Sequence, residues 1–318
     1  MCKVQGMCQS FFCRMLYEKG TVNKKKLTGE ETMTKIKYRF KGHESFILRE
    51  GWLNKGMREV RNDPFVFSQN YGADVLGVGP NMAKAIRYWM RTCGLLDERG
   101  KQGVFLSKLG EQIWEYDKYL EETFSLWIIH CNIVKNRGQA TAWNLFFNEY
   151  DEMEFTKDEL VKELINKAGN LDGLEKFSEK SVEADGEALL RMYVRKPERG
   201  SDPEEKNISP FGIFELVKQK GSLYWKSQPP LHLLPAEIVG YLLKDCTSKE
   251  GAVSIDDLLT GKDSPGRILN LKRTGLVEKL EELEQKNYIQ MNRTAGLDMV
   301  YLNQSVTGEE IVKKYFRP

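Results

Sequence analysis

Between Gly42 and Gly56 the chain carries four side chains of the kinds that phosphate chemistry uses: His43, Glu44, Arg49 and Lys55. Two readings stand side by side. In one, Arg49 and Lys55 are the cationic contacts of a phosphate- or nucleotide-binding corner. His43 and Glu44 then serve as catalytic groups that move a proton, and Glu44 is also available to a metal. In the other, an Arg–carboxylate pair and a histidine that satisfies backbone groups hold an N-terminal arm on the domain.

A second set lies further along, and its chemistry is binding. Asn81, Lys84, Arg87, Tyr88 and Arg91 fall on one side of a helical wheel, with no carboxylate among them. Met82, Ala85, Ile86, Trp89, Met90 and Cys93 fall on the other at i, i+3, i+4, i+7 spacing. The turn after this helix reads DERGKQGVF, so Arg99 and Lys101 sit at the tip of a predicted hairpin. A basic helix beside a basic hairpin tip suits duplex DNA. Lysines and arginines neutralise phosphates, the helix face offers donors to base edges, and the free N–H groups of the helix start hold a backbone phosphate.

Other chemistries find little support. His43, His130 and His232 are scattered, with no zinc-ligand spacing, and no metal site follows from them. Gly77-Val78-Gly79-Pro80-Asn81 lacks the Gly-Lys-Ser/Thr ending of a nucleotide-phosphate loop, and no G-x-S-x-G elbow appears. Asp202-Pro203-Glu204-Glu205-Lys206 resembles a nuclease signature only superficially; it lies in a polar loop and reads as solvated charge. Cys2, Cys8 and Cys13 have irregular spacing and no fourth ligand nearby. With Cys93, Cys131 and Cys246 they form no regular disulfide framework, which suits a reducing cytoplasm. A net charge of +2 on 318 residues gives no global attraction to a polyanion, so any such surface must be local. The run from Leu126 to Val134, broken by His130 and Asn132, is far short of a membrane span.

The elements that must position these residues follow from caps and periodicity. Lys35–Phe40 alternates and predicts a strand or extended arm. A helix is expected over Gly51–Arg61, stopped by Asn62-Asp63-Pro64, and a short second one over Pro64–Gln69. Gly79-Pro80 starts the cationic helix and Gly94 ends it. Helices follow over Lys108–Tyr116, Leu120–Lys135 (apolar nearly all round, with His130 as a core histidine) and Gln139–Tyr150. Thr156 with Glu159 is a capping box, Ser181–Tyr193 is helical, and Phe211–Val217 with Ser222–Trp225 forms a second hairpin. Beyond Gln228-Pro229-Pro230, helices over Pro235–Cys246, Ser254–Leu259 and Thr274–Lys286 precede strands at Tyr288–Met291 and Met299–Leu302.

Three groups of helices, each closed by a hairpin, make this a mainly α (α+β) chain of tandem winged helix-turn-helix-like modules with short β-hairpin wings. The expected division is a poorly ordered extension over 1–33, an N-terminal module over 34–118, a central one over 119–230 and a C-terminal one over 231–318.

The segments FKGHESFILREGWLNKG, LGVGPNMAKAIRYW, SLWIIHCNIV, ATAWNLFFNEYDEMEFTKDEL, LRMYVR, LPAEIVGYLLKD, SPGRILNL and TAGL resemble the bacterial domain-of-unknown-function 4007 family. Members of that family lie beside DNA phosphorothioation genes and are SspB-like. The resemblance spans about Phe40 to Leu302. It implies a cytoplasmic, DNA-binding component of a phosphorothioate-modification and phage-defence system. Its implied partners are double-stranded DNA and the PAPS reductase-like and cysteine desulfurase proteins of the operon. It also implies a DNA-nicking role, the one reading under which magnesium would be a cofactor. The alternative from another class is a non-catalytic winged-helix protein-docking scaffold or a transcriptional regulator.

Overall fold

In the computed structural model the described residues are 36–195, 208–246, 251–294, 297–303 and 307–317. The expected extension over 1–33, the three early cysteines and the loop at 202–206 lie outside them.

Helices begin where the capping chemistry puts them. Helix α1 (Trp52–Asn62) follows Gly51, which is left-handed at φ 75°. A short α2 (Ala73–Leu76) precedes α3 (Pro80–Thr92), which has extended Gly79 as its N-cap and proline at its first position. Strands β1 (Leu96–Glu98) and β2 (Val104–Leu106) form an antiparallel hairpin, and Ser107 caps α4 (Lys108–Asp117). Helices α5 (Thr123–Lys135) and α6 (Thr141–Asn148) are buried on almost every side. Strand β3 (Glu154–Thr156) leads into α7 (Lys157–Gly169), where Thr156 and Glu159 close the capping box.

Helix α8 (Glu179–Tyr193) and the hairpin of β4 (Val217–Lys220) and β5 (Leu223–Lys226) complete a sheet of order β3-β5-β4. Helix α9 (Ala236–Cys246), strand β6 (Ala252–Ser254), and helices α10 (Ile255–Thr260), α11 (Pro265–Ile268) and α12 (Arg273–Gln285) come next. Strands β7 (Ile289–Thr294) and β8 (Leu297–Leu302) then give a second sheet of order β6-β8-β7. Thr307 and Glu310 form another capping box at the start of α13 (Gly308–Phe316). The fold is α+β, mostly helical with small antiparallel sheets, and the buried apolar residues form one continuous core from Ile47 to Val312.

Two expected elements are corrected and one is narrowed. Of the strand or extended arm expected before α1, residues 36–40 form no strand. Side chains satisfy this stretch instead: Arg39 N donates to Thr141 Oγ1 at 3.1 Å, and Lys41 N donates to Asp185 Oδ1 at 2.8 Å. Pro64–Gln69 is a run of turns rather than a helix. Asp63 Oδ1 takes the Phe65 N–H, and the Pro64 carbonyl accepts from Val104 N, so this backbone is spent on the β1–β2 hairpin. The helical turns come later, as a 3-10 turn over Asn70–Gly72 and then α2. Phe211 does not open a strand; Ser209 caps a 3-10 helix over Pro210–Phe214, which Glu215 stops at φ 53°.

Close approach of α1 and α3 holds the cationic helix in place. At Gly56 of α1 a Cβ would lie 2.1 Å from Met90 Sδ of α3. Trp89 on the inner side of α3 is fully buried, and its indole N–H donates to the Phe46 carbonyl at 3.0 Å.

Candidate nucleic-acid interface

On α3 the apolar face fixes the helix, which leaves Asn81 exposed and Lys84, Arg87 and Arg91 half-buried at the surface. Arg87 and Arg91 keep about a third of their side-chain area in solvent, 31% and 33%. The face has a carboxylate after all: Glu98, on β1. Its Oε1 accepts from Arg87 Nη2 at 3.0 Å and from Arg91 Nη2. Burial alone would push the Glu98 carboxyl up, but the Arg91 and Arg87 guanidiniums hold it below the usual carboxylate range. One carboxylate against two guanidiniums leaves a net positive pair. Lys84 sits over the Tyr71 ring at 4.8 Å, and Arg87 over Phe67 at 5.5 Å. At the hairpin tip Arg99 and Lys101 are exposed, and Arg99 pairs with Asp97 and covers Phe105.

Tyr88 is a correction. Expected on the outer face, it is 4% exposed, and its hydroxyl donates to the Gln139 carbonyl at 2.8 Å. Gly42 packs directly on its ring, where a Cβ would lie 2.4 Å from Cε2. Burial pushes the phenol far above its ordinary value, so it stays neutral.

The cluster around His43 also differs from the catalytic reading. His43 is fully buried between Trp89, stacked at 5.8 Å, and Trp143, edge-on at 5.7 Å. Its partner is Asp185 of α8, whose Oδ1 accepts from Nε2 at 2.8 Å. Burial pushes the Asp185 carboxyl up, against the pull of His43. No substrate reaches an imidazole enclosed in this way, so the pair ties the arm before α1 to α8. Glu44 sits in a left-handed turn at φ 50°, and its side chain pairs with none of the described residues. Arg49 lies against the Trp52 and Phe46 rings at 5.0 and 5.6 Å. Burial and the nearby Arg191 lower its pKa. Lys55 is half-buried on α1. Among the described residues, no three His, Cys, Asp or Glu side chains converge on one point.

His130 matches its reading as a core histidine. Nε2 donates to the Ile268 carbonyl at 2.9 Å, and Nδ1 accepts from Tyr193 Oη at 2.7 Å. Burial pulls its pKa from 6.5 to about 4, partly opposed by the Ile268 carbonyl. The folded state therefore favours the neutral ring. Its contribution is complete above pH 6.5 and is lost as pH falls toward 4, by about 3 kcal/mol in all. Urea midpoints between pH 7 and pH 4 should fall more steeply for wild type than for His130→Gln; parallel curves would contradict this.

Sequence reasoning missed Lys226, which is buried at the C-terminal end of α6, where Nζ donates to the Phe146 and Tyr150 carbonyls at 2.8 and 2.5 Å. Burial lowers its pKa to about 7. Two other lysines within ten positions of it, Lys218 and Lys220, give no sequence cue that this one turns inward.

Fold and surface together define a helix-rich α+β protein that presents one basic helix and hairpin. The family model described as "Protein of unknown function (DUF4007)" matches residues 40–316, and the chain belongs to that family. Among solved structures it is similar to one titled "Magnesium ion-bound SspB crystal structure", with a TM-score of 0.77 and 24% identity over 87% of this chain and 88% of that one. A second, "SspB crystal structure", matches with the same TM-score and coverage at 25% identity. No curated protein matches the chain. Among the described residues no helix is long and apolar enough to cross a membrane.

Proposed function

We propose that this chain is the DNA-binding component of a bacterial DNA phosphorothioate-modification and phage-defence system, working in the cytoplasm. It holds duplex DNA against α3 and the β1–β2 hairpin, and its PAPS reductase-like and cysteine desulfurase neighbours act on DNA so held. Asn81, Lys84, Arg87, Arg91, Arg99 and Lys101 are the contacts, and Arg49 just before α1 and Lys55 on it extend the phosphate-binding surface.

The observation that carries this reading is the contrast between α3 and its counterparts. One order of elements recurs: helix, strand, two helices, hairpin. It describes α6-β3-α7-α8-β4-β5, and also α9-β6-α10-α12-β7-β8 with α11 inserted, and in both the first strand pairs with the last. In the first module Pro64, bonded to Val104 N, stands where the first strand would be. This supports three winged helix-turn-helix modules in which α3, α8 and α12 are the recognition helices. Only α3 is basic. In α8 the exposed positions include Glu179, Glu183 and Glu187, and in α12 they include Glu278 and Glu281, which would repel phosphate. Those acidic faces favour protein docking for the second and third modules.

Anisotropy of a labelled duplex, titrated across salt concentrations, tests the reading. Glu98→Gln frees Arg87 and Arg91, so affinity should rise by roughly tenfold at about 0.1 M salt. Lys84→Ala should lower the slope of log K against log salt by about one. If neither substitution changes binding, the duplex lies elsewhere.

A further inference from the structure

Beside the basic helix, the chain holds one aromatic side chain in a conformation that its own packing does not explain. Asn70, Tyr71 and Gly72 all have positive φ, at 43°, 55° and 77°. Glycine adopts such angles freely and asparagine tolerates them. A tyrosine is strained there because its Cβ crowds the backbone carbonyl. The strain secures no burial, since Tyr71 is 43% exposed, and among the described residues its hydroxyl makes no hydrogen bond. The turn is nevertheless well fixed: Gly72 N donates to the Gln69 carbonyl at 2.7 Å, and a Cβ at Gly72 would meet the Val66 carbonyl oxygen at 2.8 Å. What the conformation does achieve is to bring the ring to α3, under the Lys84 ammonium at 4.8 Å. Lys84 in turn reaches Asn81 Oδ1 at 3.5 Å. Phe65 and Val75 on the same connection are also exposed, at 52% and 59%.

An exposed ring with a lysine at its face, on the border of a phosphate-binding helix, combines the two parts of a single-strand site. These are a π-surface on which any base can stack and a cation for the adjoining phosphate. A fully paired duplex offers such a ring nothing, because its bases are already stacked on each other.

We propose that Tyr71 is a stacking platform for an unpaired nucleobase beside α3, so that this surface prefers DNA with a gap or an extruded base to intact duplex. The proposal rests on the DNA-binding reading and adds the substrate class to it.

The test uses the full chain and two labelled duplexes of equal length. One is intact, and the other carries an unpaired 2-aminopurine opposite a one-nucleotide gap. Wild type should bind the gapped duplex roughly 5- to 100-fold more tightly, the range one stacked base gives, and quench the 2-aminopurine fluorescence. Tyr71→Gly removes the ring while suiting the positive φ, so the variant keeps its fold. It should abolish both the preference and the quenching but leave intact-duplex affinity within about twofold. Tyr71→Phe should retain both. Equal binding of the two duplexes by wild type, or an undiminished preference in Tyr71→Gly, overturns the platform. If Lys84→Ala still weakens intact-duplex binding, the DNA-binding reading survives that result. No binding to either duplex removes both.

Discussion

Asp185→Ala should lower the unfolding free energy by about 3–5 kcal/mol, the loss expected when one partner of a buried, hydrogen-bonded pair is removed. Asp185 Oδ1 accepts from two donors at 2.8 Å, the His43 imidazole and the Lys41 backbone. The His43 donor would be left in a site closed by Trp89 and Trp143, where no solvent replaces the lost acceptor. The damage would extend to Tyr88, whose ring rests on Gly42 in the same arm. Asp185→Asn keeps an oxygen at that position and should lose markedly less. Urea titration of the two variants checks this. A loss below about 1 kcal/mol for Asp185→Ala would mean that the arm is held by other contacts.

His43 also marks the limit of what the sequence discloses. That a histidine among glycines and tryptophans would be tied down is legible, and the structural-network alternative for this cluster anticipates it. Its partner is not legible, because Asp185 lies 142 residues away on a helix whose exposed positions are dominated by charge. The same distance effect hides Tyr88. A helical wheel ranks it with Lys84 and Arg91, since periodicity sees only one helix, whereas Gly42 and Gln139 arrive from elsewhere to cover it. Local chemistry travels better. Gly79-Pro80 starts a helix through the fixed φ of proline, and the Thr156/Glu159 box, Ser254 before α10 and Ser264 before Pro265 each start one through a short-range cap hydrogen bond. Pro64–Gln69 fails for the opposite reason: a backbone carbonyl needed by the hairpin overrides a weak helical pattern. Glu98 was in plain view in the sequence. Its closure onto Arg87 and Arg91 depends on how the hairpin folds back over α3, which no local pattern encodes.

Arg87→Ala combined with Arg91→Ala should weaken duplex binding by roughly 10- to 60-fold at about 0.1 M salt, since each neutralised phosphate contributes nearly tenfold under those conditions. The lower bound allows for Glu98, which cancels one of the two charges in the free protein; the upper applies if DNA displaces it. The variant should fold, because both side chains lie at the surface and the inner face of α3 is unchanged. Loss of the two guanidiniums also strands the Glu98 carboxylate on the proposed DNA face, which adds to the penalty.

The most direct measurement is therefore the slope of log K against log salt for a duplex, compared between wild type and Arg87→Ala/Arg91→Ala. The slope should become shallower by between about one and two. Identical slopes and affinities would place the polyanion, if one is bound at all, away from α3.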